Sequence, residues 1–205
     1  MKVLLLCLAI LSVTCICWAE SRTSLSVLGF VNRVLITNAK NEPIESFTIA
    51  KDFLIDELAS SGKFIVVENI PNQYENTLSK DIQELENGKG IHLLNGYQSE
   101  YIIYGFLTNL NIKSSTSSFN DQSVGVYGYS ETVYANLCAK VLEKASGRIV
   151  LVVTGKGDST KRHKILGKYG GESLVFAGKR MQEESIHNAL SEAVHDIAGK
   201  IISKA

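Results

Sequence analysis

Proline and cysteine are both scarce in this chain, and each scarcity narrows what it can be. The two prolines, Pro43 and Pro71, punctuate the sequence without building a linker that could divide it, and no internal repeat is visible. Of the four cysteines, Cys7, Cys15 and Cys17 crowd the N-terminus and only Cys138 lies beyond it. A single thiol cannot close an internal disulfide, so a hydrophobic core has to hold the fold. Net charge is absent too: 21 basic residues balance 21 acidic ones. A balanced chain has no general electrostatic pull toward nucleic acid or an anionic membrane. Long apolar runs are missing everywhere except at the start.

That start, MKVLLLCLAILSVTCICWAE, places one positive charge before an unbroken apolar run from Val3 to Val13. Small residues at Cys17 and Ala19 suit cleavage after Ala19, the design of a secretory signal peptide. A membrane span needs about 20 apolar residues, and this run breaks sooner into Ser, Thr and Cys. Thr14 and Ile16, where a lipid-modified Cys15 or Cys17 would need a small Ala or Gly before it, argue for an ordinary cleaved signal over a lipid anchor. Residues 20–205 are then expected to form one domain.

Residues 25–36 read as a first strand, apolar and β-branched. A helix follows, with Asn41 to cap it, Pro43 in its first turn, and Ile44, Phe47, Phe53, Leu54 and Leu58 near one face. Gly62 is placed to end it, and KFIVVEN is a short second strand. Residues 72–87 suggest another helix, with Tyr74, Leu78, Ile82 and Leu85 on one side. Residues 100–112 form the strongest strand pattern, with Phe106, Leu110 and Ile112 assigned to one face. SSTSSFNDQS reads as a polar loop. Residues 129–142 alternate, with Val133, Ala135, Leu137, Ala139 and Val141 on one side. A turn at 143–147 with Gly147 leads into a returning strand. Residues 158–180 are polar, basic and glycine-rich, and 182–204 carry a helical stripe of Ile186, Leu190, Ala193, Val194, Ile197 and Ile201. The order β-α-β-α-β-β-β-α implies an α/β (α+β) domain, a mixed β-sheet with helices packed on it.

Gly155-Lys156-Gly157 invites comparison with a phosphate-binding loop. Such a loop has the form G-x-x-x-x-G-K-[ST] and opens a helix after a strand. Here Gly157 follows Lys156, Val150 stands where the first glycine belongs, and DSTKRHK has no apolar helical stripe. The glycines are instead two apart on one strand face, where missing side chains let another element approach closely.

Three stretches carry a family resemblance. IAKDFLIDELASSGKFIVVEN is similar to the helix-then-strand signature of the CsgG/LpoB-like envelope proteins. SEYIIYGFLTNLNIKSS resembles their central strand, and ANLCAKVLEKASGRIVLVVTGKG their strand pair ending in glycines. The resemblance covers most of residues 25–204. It implies an anticodon-binding-domain-like fold facing the periplasm, without catalysis or cofactor, acting on protein partners or on copies of itself in the periplasm or at the outer membrane. It also raises the alternative of a curli-type outer-membrane channel. The basic run Lys161, Arg162, His163 and Lys164 speaks against that, since consecutive cations occupy both faces of a strand and one on the lipid face costs about 2–4 kcal/mol at the midplane.

A metal- or ligand-binding hydrolase is the remaining alternative. His187 and His195 stand eight residues apart, about 12 Å along a helix, too far to share a metal. Glu183 and Glu184, a turn before His187, read as a helix-face pairing. Gly128-Tyr129-Ser130 resembles part of a nucleophile elbow, but Thr132 replaces its second glycine. No catalytic, cofactor or metal residue is assigned. The expected partner or assembly surface is the 113–130 hairpin with the basic 158–170 stretch, represented by Phe119, Tyr127, Tyr129, Lys161, Arg162 and Lys164.

Overall fold

A computed structural model describes residues 22–33, 47–68, 78–121, 124–166 and 171–204. The expected leader, Asn41, Pro43, Ile44 and Tyr74 lie outside these. The elements run β1 (Thr23–Asn32), α1 (Phe47–Ser60), β2 (Phe64–Val66), α2 (Leu78–Glu86), a 3-10 helix (Gly90–Gly96), β3 (Tyr101–Asp121), β4 (Val124–Glu143), β5 (Arg148–Leu166) and α3 (Gly171–Ile202). The fold is mixed α/β, in the expected order, with the 3-10 turn added after α2.

One five-stranded sheet has the order β2-β1-β3-β4-β5. β1 lies parallel to β2 and β3, while β3, β4 and β5 form an antiparallel meander. Parallel neighbours need crossovers, and α1 and α2 supply them. Gly62 (φ +70°) ends α1 and Gly147 (φ +65°) turns β4 into β5, both in the left-handed region that glycine occupies freely.

The two faces bury separate cores. On one face, α1 and α3 cover Leu25, Val27, Ile103, Leu107, Val133, Ala135, Leu137, Ala139 and Val153. Ala50, Leu54 and Leu58 recur every fourth residue on α1, so one helical face is apolar and buried. On the other face, α2 and the 3-10 helix cover Leu28, Ile102, Tyr104, Phe106 and Leu142 with Ile82, Leu85 and Leu94. Among the described residues this second layer reaches β4 only near Leu142 and leaves most of β4 and β5 uncovered.

Three expectations change. Phe106 does not share a face with Leu110 and Ile112: it joins the α2 core while they pack on the α1/α3 core. The pairing shifts register between Leu107 and Asn109, and the extra residue reverses the facing of everything after it. The polar stretch from 113 is strand rather than loop. β3 pairs with β4 through Asp121↔Val124, so partner-strand hydrogen bonds replace the apolar pattern that periodicity detects. The basic stretch likewise continues β5 to Leu166, and α3 begins at Gly171, a full eleven residues before Gln182.

Candidate interaction surface

The Gly155-Lys156-Gly157 segment lies within β5, a strand and not a loop. A Cβ on Gly155 would overlap the Ala193 carbonyl oxygen, and one on Gly157 the Ala189 carbonyl oxygen. The paired glycines thus form a groove into which the backbone of α3 sinks, with alanines as the facing residues. Every residue of the expected stripe on α3 is buried there.

The same helix closes the free edge of β5. The Lys156 amide donates to Asp196 Oδ2 (3.2 Å) and the Asp158 amide to Glu192 Oε2 (2.7 Å). Lys200 Nζ donates to the Thr154 carbonyl (2.7 Å) and to Asp196 Oδ2 (2.7 Å). Residues 192, 196 and 200 are one turn apart, so a single helical face presents all three. Lys200 above all, helped by the Lys156 amide, holds the Asp196 carboxyl below its usual value against the opposing effect of burial. An outer strand normally leaves such groups open to another chain, and here the Thr154 carbonyl and the Lys156 and Asp158 amides are occupied.

Beyond that point β3, β4 and β5 continue as a three-stranded arm. β4 alone, with 20 residues, spans about 65 Å. One row across the arm reads Ser114–Glu131–Lys161. Glu131 is 2% exposed on the face toward α3. Tyr129 Oη donates to its Oε2 at 2.9 Å, and Lys161 ion-pairs with Glu184 of α3. Burial raises the Glu131 carboxyl above its ordinary value, against smaller lowering effects of the Tyr129 and Ser185 hydroxyls. Ser185 thus lies close enough to favour the charge, yet neither its Oγ nor Glu131 Oε1 makes a hydrogen bond of normal geometry.

On the opposite face, at the margin of the α2 layer, Glu86 ion-pairs with both Arg33 and Lys140. Both cations also lie over the Phe106 ring, at 3.6 and 5.5 Å from its centroid. Burial by itself would raise the Glu86 carboxyl, but Lys140 and then Arg33 outweigh it and hold it low. Cys138, level with Phe106 and half-buried, has its thiol pushed up by burial.

The 113–130 hairpin and the basic 158–170 stretch were expected to act together, and residues 158–166 of the latter lie beside the hairpin in this arm. Phe119, Tyr127 and Lys164 hold strand positions in it, with side chains outside the described part. Tyr129 and Lys161 turn inward to Glu131 and Glu184, and Arg162 is exposed. His187 packs edge-on against Phe53 at 5.2 Å, and His195 Nδ1 lies 2.9 Å from Glu57 Oε1. Among the described residues no group of three His, Cys, Asp or Glu converges as metal ligands would. No described helix is long and apolar enough to cross a membrane. The Glu131 row and the edge-closing carboxylates escaped the sequence reading; a glutamate in the apolar-facing phase of residues 129–141 was the available signal for the first.

The match to a family model extends over residues 12–205, and the chain belongs to that family, CsgG, the curli production assembly/transport component. The solved structure of the hypothetical protein CT253 from Chlamydia trachomatis aligns with TM-score 0.47 at 9% identity, over 89% of this chain and 97% of that one. The LpoB C-terminal domain from Escherichia coli aligns with TM-score 0.36 at 18% identity, over 71% and 91%. PelC from Paraburkholderia phytofirmans, crystallised as a dodecamer, aligns with TM-score 0.36 at 11% identity, over 87% and 89%. No curated protein matches the sequence.

Proposed function

We propose that the protein is a non-catalytic, exported component of the bacterial cell envelope that works by binding other proteins, copies of itself included, through the β3–β5 arm. Residues 1–19 serve as a cleaved leader in this reading, and 20–205 fold as one domain at the periplasm or the inner side of the outer membrane. Membership in a family of assembly and transport components supports it. The observation that carries it is the arm itself. β1 stops pairing at Asn32↔Leu107, so the outer edge of β3 beyond that point has no neighbouring strand among the described residues. An unpaired edge of that length offers backbone donors and acceptors to another chain.

The channel reading draws on the same arm, whose strands exceed the roughly 9–11 residues of a barrel strand. Register weakens it: positions 161 and 163 share one face and 162 and 164 the other, so this segment offers no purely apolar side to lipid.

Ser114 and Glu131 are directly paired, so residues 115–130 can be replaced by Asn-Gly, a two-residue turn suited to joining them. The shortened protein should keep its far-ultraviolet spectrum and cooperative unfolding while losing partner capture and self-association, read by cross-linking and size-exclusion chromatography. Unchanged capture and unchanged size would refute the assignment.

A further inference from the structure

The sheet face turned away from α3 carries charge that the whole-chain balance conceals. Register places Lys113, Lys140, Lys156 and Arg162 on it, with Arg33 at its margin. Against them stand Glu86, already shared by Arg33 and Lys140, and Asp158. Lys113, Lys156 and Arg162 have no ion pair with any described residue, and Lys113 instead rests 5.3 Å from the Tyr134 ring centroid.

Apolar side chains lie among these cations. Tyr134 is 41% exposed, Ile149 43% and Val152 52%, and Val150, at the bulge opposite Leu142, is 52% exposed. Among the described residues, the exposed large hydrophobic side chains are these four and Ile65.

We propose that this open face of β3, β4 and β5 docks on a lipid bilayer bearing anionic headgroups, with the valines, Ile149 and Tyr134 entering the interface. The spacing of the charges selects a membrane over a discrete ligand. From Lys140, opposite Val152, to Arg162 the cations spread along about 33 Å of sheet instead of converging on one anion. A surface of many equivalent headgroups can satisfy every one of them, each contributing about 1 kcal/mol near the membrane. The acids Asp52 and Asp56 belong to the helix layer behind the sheet. Layers pack about 10 Å apart and the Debye length is about 8 Å at physiological salt, so they do not cancel this face.

The test is co-sedimentation of the purified protein with vesicles of phosphatidylcholine alone or with about 30% phosphatidylglycerol. Binding should require phosphatidylglycerol and be reversed by about 0.5 M NaCl, where screening is strong. The exposed-site variant K113Q/K156Q/R162Q should lower the partition coefficient about 100-fold. D52N/D56N, which changes net charge on the other side of the sheet, should leave it within about twofold. Should the triple variant unfold, V150S/V152S must still weaken binding to the same vesicles, read beside its thermal unfolding. Equal partition of wild type and folded triple variant, or absence of anionic-vesicle binding at low salt, overturns the proposal. So does capture of an acidic soluble protein by this face without vesicle binding. None of these outcomes depends on the hairpin exchange that tests partner capture.

Discussion

The two faces of β4 and β5 are written in alternate residues of the same strands, and they differ in almost every respect. Ala135, Leu137, Ala139, Gly155 and Gly157 face α3, small or apolar, with side chains removed where the helix comes closest. Their immediate neighbours Asn136, Cys138, Lys140, Thr154 and Lys156 face outward over a surface that α2 covers only at its margin. One face is therefore built around volume, so that added or missing atoms are felt, and the other around charge.

The largest expected contrast comes from removing volume. Leu137→Ala should cost about 3 kcal/mol in urea unfolding because it leaves a cavity beneath α3, whereas Val152→Ala on the open face should stay within about 0.5 kcal/mol. Equal effects would show that the helix does not seal the first face. Adding volume should come next. Gly157→Ala forces a methyl group against the Ala189 carbonyl and is expected to cost about 2 kcal/mol, while Thr154→Ala, on the opposite face, should be near neutral.

The smallest contrast concerns two glutamates. Burial raises Glu131, so the folded chain holds that proton to higher pH than the unfolded chain does. Stability then falls as pH rises from the ordinary carboxylate value through the raised one. Glu86 is lowered, so its contribution is present above the ordinary value and is lost as pH falls through the lowered one. Glu131→Gln should stabilise at neutral pH by about 1 kcal/mol and remove the first slope, and Glu86→Gln should destabilise by up to about 1 kcal/mol and remove the second. Denaturant midpoints measured across pH for both variants decide it; slopes of the same sign would dissolve the distinction between the faces.

Much of this organisation was legible in the chain. Alternation at 133–141 and the glycine pair at 155 and 157 identified the covered face, and the stripe from Ile186 to Ile201 identified its helix. Phe106 was assigned to the wrong face because a bulge near Thr108 resets the alternation, and no local residue pattern announces it. Residues 113–121 escaped as a strand because Ser, Thr, Asn and Asp carry no apolar phase, and their order comes from β4. The family resemblance was legible from motif order. The basic face was not, since a net charge of zero averages over surfaces that only register separates.

Sheets that end in an exposed strand can seed fibrils, because an incoming segment needs a few consecutive free amides to template itself. Asp196 and Glu192 occupy two such amides near the middle of β5, and Lys200 the carbonyl beside them. A chain that zips onto this margin therefore meets a block at residues 154–158, where the helix already holds the strand's groups.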